Sequence, residues 1–197
     1  MTRPCWMLVL ALYTLIANMR LGMAEDVVID FEAAEVGKPV ANYAEKDISF
    51  QLAYEPRKNK AKGRVMFFPH LGDGHKGILN AMADEAIPLR IVLPKTAAKA
   101  ALTLWGSTTS GARVEAFDRD GKPLINEMLE QVPVRESPED QVPYFEISLQ
   151  GPGIAAIEIS GSKPGGFVAL DEIRITYELP TSPVVQPTRE STSTAGD

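Results

Sequence analysis

Along most of the chain, apolar and polar side chains alternate one by one over short runs that stop at Gly, Pro, Asp or Asn. A period of two places successive side chains on opposite faces of an extended backbone, and no long segment keeps the 3.6-residue period of an amphipathic helix. The runs predicted as strands are VVIDFE (Val27 to Glu32), ISFQLAY (Ile48 to Tyr54), RVMFF (Arg64 to Phe68), PLRIVL (Pro88 to Leu93) and AALTLW (Ala100 to Trp105). They continue with ARVEAFD (Ala112 to Asp118), YFEISL (Tyr144 to Leu149), IAAIEIS (Ile154 to Ser160) and a run from Phe167 to Tyr177. In ARVEAFD, Val114 and Ala116 face one way while Arg113, Glu115 and Phe117 face the other, which predicts one buried and one wet side. DRDG at Asp118 to Gly121 reads as a hairpin turn, and QGPGI at Gln150 to Ile154 as a second turn. LINEMLEQV (Leu124 to Val132) fits either one short helix or a distorted strand.

Such a succession of strands predicts an all-β domain. A single open sheet would leave an apolar face in water, so the expected architecture is a two-sheet antiparallel β-sandwich of jelly-roll type. Phe31, Phe50, Phe145, Ile157, Phe167 and Ile173 are its expected core anchors, each contributing roughly 1.5 to 3 kcal/mol when fully buried. One run breaks the pattern. In GGFVALDEIRIT, Gly165 to Thr176, an Asp-Glu pair (Asp171, Glu172) stands where a buried hydrophobe is expected.

Composition sets the compartment. MTRPCWMLVLALYTLIANMRLGMA has an early arginine, an apolar run from Trp6 to Ala17 and small residues at Gly22 and Ala24, the pattern of an export signal cleaved after Ala24. Asn18 and Arg20 cut the apolar run short of the roughly 20 residues that span a bilayer, so no membrane span is expected after cleavage. The single cysteine, Cys5, lies inside this segment. The processed chain therefore relies on core burial, or on a bound ion, rather than on disulfides. Loss of Arg3 and Arg20 leaves 18 basic against 26 acidic side chains, a formal charge of −8. That balance argues against nucleic acid and anionic membranes as partners and favours neutral ligands or cations. Residues 179–197 are rich in Pro, Ser and Thr and are expected to be a disordered tail, which leaves one β-sandwich domain over 25–178.

Asp171 and Glu172 are matched near the other terminus by Asp30 and Glu32 in VIDFE, and the two end strands of a sandwich commonly pair. Carboxylates brought together in a partly buried place repel unless a proton or cation intervenes, and a hard divalent ion takes six to eight oxygen ligands at about 2.3 to 2.6 Å. The alternative is that Glu32 and Glu172 point into solvent while Asp30 or Asp171 bonds a neighbouring turn. The patterns IDFE near the start, LTLWGS and VEAFDRDGKPL in the middle, and FEISLQGPGIAAIEISG with GGFVALDEIRIT at the end resemble the galactose-binding-like jelly-roll domains of exported bacterial proteins and carbohydrate-binding modules. The resemblance runs from about Val27 to Tyr177. It implies a structural Ca²⁺ held by Asp30, Glu32 and Asp171, and a glycan or cell-surface polymer as ligand.

Two further stretches hold candidate chemistry. FFPHLGDGHKG, Phe67 to Gly77, carries both histidines, His70 and His75, with Asp73 between them in a glycine-rich loop. It has no standard zinc-ligand spacing, so it reads as a loop that forms part of a ligand-binding rim. Sugar recognition uses aromatic planes beside polar groups, for which Tyr43, Tyr54, Trp105 and Tyr144 are the candidates. Trp105 ends an apolar strand beside Leu102 and Leu104 and is expected in the core. The expected ligand contacts are thus Tyr54, His70, Asp73, His75 and Tyr144. No cysteine nucleophile remains after processing, ISGS at Ile159 to Ser162 lacks the setting of a nucleophile elbow, and no phosphate-cradling glycine loop is present. The sequence predicts a secreted or periplasmic binding module without enzymatic activity. Its alternative partner is an envelope protein that packs against the sandwich.

Overall fold

The computed structural model describes residues 25–36, 44–54, 65–70, 72–80, 87–106, 111–161 and 168–178. The export signal, the tail, Tyr43 and Phe167 lie outside the described residues, as do residues 1–24 and 179–197 as a whole. The described residues contain no helix, and hence none long and apolar enough to cross a membrane. They form ten strands: β1 (Asp26–Ile29), β2 (Ala44–Glu45), β3 (Ile48–Leu52), β4 (Val65–Pro69), β5 (Lys76–Asn80), β6 (Leu89–Gly106), β7 (Ala112–Phe117), β8 (Pro123–Leu129), β9 (Tyr144–Gly161) and β10 (Val168–Tyr177).

Every pairing is antiparallel, and β6 and β9, paired with each other, also carry β3, β7 and β10. Each of these two strands is 18 residues long. The first part of β6, Leu89 to Val92, pairs with β3 on one side and with β9 at Ala156 to Ile159 on the other. That layer continues through β7 to β8. From Ala97 to Gly106, β6 pairs instead with β10 and with β9 at Tyr144 to Ile154, and β10 carries β5 and β1 along its far edge. The two strands therefore pass together from one layer of the sandwich to the other.

The predicted turn QGPGI and the break between PLRIVL and AALTLW are in fact this corner. The runs PLRIVL and AALTLW belong to one strand, and so do YFEISL and IAAIEIS. Register shifts between Val92 and Ala97, and Gly153 at φ 85°, bend the ribbon without reversing it. The Glu178 carboxylate fixes the bend by accepting from the Gly153 amide at 2.6 Å and from the Thr96 hydroxyl at 2.7 Å. DRDG does turn: Gly121 has φ 79°, and Asp118 Oδ1 accepts the amides of Asp120 and Lys122. The LINEML segment that follows is a strand, not a helix, and forms the edge of its layer.

Between the layers lies the main core, in which Ile29, Phe31, Ile48, Phe50, Leu102, Ile157 and Ile173 are buried and Phe145 packs against them half-exposed. Phe31 has φ 57°, a conformation costing an L-residue on the order of 1–2 kcal/mol. Its fully buried ring holds it there, edge-on to Phe50 at 5.2 Å and tilted against Phe67 at 6.2 Å.

Candidate functional site

The Asp-Glu pair in β10 marks a β-bulge. Leu170 pairs with Leu104 and Glu172 with Thr103, so Asp171 is the extra residue. A bulge resets which side chains face inward. Val168 and Leu170 before it, and Ile173 and Ile175 after it, all enter the main core, although their spacing in the sequence is out of phase. Asp171 follows Ala169 to the opposite face. There a second apolar cluster of Trp105, Val142 and Ala169 is covered by Phe68 and Tyr144. Ala169, Trp105 and Tyr144 are direct cross-strand neighbours, so they form one row over β10, β6 and β9. Trp105 is core, as its strand position predicts.

The loop between β4 and β5 closes over that row. His70 is 3% exposed and lies parallel to Tyr144, ring centroids 4.3 Å apart, and edge-on to Trp105 at 5.3 Å. Its Nδ1 faces Asp73 Oδ1 at 2.8 Å and its Nε2 faces the Val142 carbonyl at 2.7 Å. Both partners are acceptors, so both bonds are made at once only by an imidazole carrying hydrogen on both nitrogens. Asp73 also accepts from the Tyr144 hydroxyl at 2.9 Å and from the His75 amide at 3.0 Å. Partial burial would raise its carboxyl, but the His75 amide, Tyr144 and His70 outweigh this and hold it below the usual carboxylate range. Tyr144 is pushed up in turn, by burial and by its bond to Asp73. His70, buried and with both ring nitrogens bonded, anchors the loop from below.

The surface left above the anchor consists of Asp73, His75 and Glu32. Glu32 Oε1 accepts the Lys76 amide at 3.0 Å and stands 3.7 Å from His75 Nδ1, tying the exit of β1 to the start of β5. The next residue, Gly77, lets β5 lie close against β10 and Trp105. A Cβ there would lie 2.9 Å from the Leu170 carbonyl oxygen and 3.0 Å from Trp105 Nε1. Beneath the rim Asp171 is 9% exposed, and its Oδ1 has no hydrogen-bond partner among the described residues. Burial pushes its carboxyl up to about 6; His75 and His70 pull it down, while Glu32 and Asp73 push it further up.

Of the three expected calcium ligands, Glu32 and Asp171 come close enough for their charges to interact, and Asp30 does not group with them. Strand β1 ends at Ile29, and the left-handed Phe31 turns the chain, so Asp30 and Glu32 do not share the face that VIDFE as a strand would give them. Asp30 is exposed and accepts the Glu32 amide at 3.2 Å, the turn-bonding alternative. Among the described residues no three His, Cys, Asp or Glu side chains are grouped closely enough to hold an ion. Tyr54 is 52% exposed beyond β3. Sequence reasoning missed Glu32 as a rim residue and the Val142 carbonyl. The second has no sequence signal, because any residue supplies that group.

No protein family model and no curated protein matches the chain. Among solved structures, those similar to it are mainly carbohydrate-binding modules and adhesin domains. One is the K1 cleaved adhesin domain of Lys-gingipain from Porphyromonas gingivalis W83, at 11% identity and TM-score 0.48 over 78% of this chain and 99% of that one. Another is the xylan-binding module CBM86 from Roseburia intestinalis, at 10% identity and TM-score 0.41 over 80% and 97%. The CBM22-1 xylan-binding domain of Xyn10C from Paenibacillus barcinonensis has 11% identity and TM-score 0.42 over 79% and 97%.

Proposed function

We propose that the protein is an exported, non-catalytic binding module that recognises a glycan or cell-surface polymer through the rim above Asp171. The observation that carries this reading is the exposure of a pre-fixed polar set. The side chains of Asp73, His75 and Glu32 are 26%, 59% and 44% exposed while the loop that bears them is pinned from below by His70. Sugar hydroxyls both donate and accept, so carboxylates flanking an imidazole match adjacent hydroxyls, and a pinned loop loses little entropy on binding. Asp73 is held ionised by its bonds, which suits an acceptor better than a group that exchanges protons.

A glycan-array assay tests the proposal. Binding is expected to at least one glycan, and Glu32→Gln with His75→Ala is expected to weaken it roughly tenfold or more at unchanged melting temperature. Silence of the folded protein across the array overturns the reading. A second reading, docking against an envelope protein, is favoured by Leu124 and Met128, which are 40% and 60% exposed on the edge strand β8. It predicts that Met128→Lys abolishes retention of the protein on purified envelopes.

A further inference from the structure

At the other end of β10 lies a cleft of about 580 Å³ that shares no residue with the rim. One wall is the two-residue turn joining β2 to β3. Glu45 pairs with Ile48, and the intervening Lys46 and Asp47 have φ 53° and 62°. Left-handed backbone at both positions is the geometry that Asn-Gly adopts without strain, and a strained pair persists only where its surroundings hold it. Here the Lys46 ammonium donates to the Val28 carbonyl, pinning the turn to β1. The opposite wall is the bend of β6, with Pro94 and Lys95. The Lys95 ammonium pairs with Glu25 and lies 4.5 Å from the centroid of the Tyr177 ring. Tyr177 lines the cleft at 3% exposure, and its hydroxyl has no hydrogen-bond partner among the described residues. Burial, and then the Glu25 and Asp47 carboxylates, push its ionisation up and keep it a neutral O–H.

We infer that this cleft is a second binding site, for a neutral polyhydroxylated ligand of one or two sugar residues, which pairs with the Tyr177 hydroxyl when the Lys95 side chain swings off the ring. The cleft is lined by two ammonium groups (Lys46, Lys95) and three carboxylates (Glu25, Asp26, Asp47). A ligand hydroxyl accepts from the first and donates to the second. An anion meets the carboxylates unfavourably, and a cation the ammonium groups. The volume lies inside the roughly 300–1,000 Å³ of small-molecule sites, and Pro94 with the Tyr177 ring offers an apolar surface to the face of a sugar ring. The inference shares a ligand class with the rim above Asp171 but none of its residues, so each can fail alone.

The test is an amide-resolved NMR titration of the ¹⁵N-labelled protein with D-galactose, D-glucose and D-xylose, with inorganic phosphate and tetramethylammonium as charged probes. The Lys46, Asp47, Lys95 and Tyr177 amides are expected to shift saturably with at least one sugar and with neither charged probe. Tyr177→Phe is expected to weaken that binding roughly tenfold without lowering the melting temperature, because the hydroxyl it removes has no partner. Asp47→Asn, at an exposed position, is expected to weaken it as well. The inference is overturned if no sugar shifts these amides, if only a charged probe does, or if the affinity of Tyr177→Phe equals that of the unmodified protein. Sugar-induced shifts confined to Asp73, His75 and Lys76 also overturn it while leaving the rim proposal standing.

Discussion

Strand β10 leaves register with β6 twice, and a buried polar side chain stands at each break. At the first, between Leu170 and Glu172, the extra residue is on β10 itself and turns Asp171 to the outer face of its layer. At the second, between Thr176 and Tyr177, the extra residue is on β6, and Tyr177 stays in the main core while lining the cleft, its hydroxyl buried. The two lie about 20 Å apart along the strand at roughly 3.3 Å per residue. The two polar places thus arise differently: the first break inserts a residue into β10, and Asp171 is that residue; at the second, Tyr177 keeps the alternation of Ile173 and Ile175, and the inserted residue is Ala98 of β6. They also differ in kind: the carboxylate titrates in an accessible range, while the phenol stays neutral.

The largest expected effect breaks the first place and leaves the second intact. Gly77→Ala drives a methyl group into the Leu170 carbonyl and the Trp105 ring nitrogen, and is expected to cost about 2–3 kcal/mol in urea unfolding. Shifts of the Lys46 and Lys95 amides in that variant as large as those at His75 would join the two regions into one unit and end the comparison.

A smaller effect separates them by pH. Folding raises the Asp171 carboxyl from an unfolded value of about 3.9 to about 6. The folded state then binds more protons between these limits, so stability contributed by this group falls as pH rises from about 4 to about 6 and is level above. Asp171→Asn is expected to remove that slope and to be about 1–2 kcal/mol more stable than the parent at pH 7. Denaturation of both proteins at pH 4.5 and pH 7.5 measures it, and parallel curves would refute the assignment. Tyr177→Phe is expected to show the parent's slope throughout.

The smallest effect is at the second place. Replacing Lys46–Asp47 by Asn-Gly relieves two left-handed residues and is expected to stabilise by up to about 1 kcal/mol, read as a rise in melting temperature. A fall would mean that the Lys46 contact with Val28 outweighs the backbone cost.

Much of the fold was legible because alternation is local. ARVEAF is a strand over the span its pattern indicates, and DRDG turns where an aspartate followed by glycine should. Chain reversal was not legible at PKTAA or QGPGI. Glycine and proline interrupt a pattern identically whether the chain turns back or bends onward, and only the partner strand decides. The loop holding His70, Asp73 and His75 stood out by composition. The role of His70 did not, since one of its bonds reaches Val142, 72 residues away. The cleft escaped notice for a similar reason: Lys46, Lys95 and Tyr177 are each unremarkable in their own segments, and topology alone assembles them. The one local clue was a Lys-Asp pair doing the work of Asn-Gly between two short runs.

The corner held by Glu178 has a mechanical consequence. Because the β6–β9 ribbon is woven through both layers, neither layer can peel away as a separate leaf: opening one strips backbone partners from the other. A molecule built in this way should yield as a single cooperative body under tension.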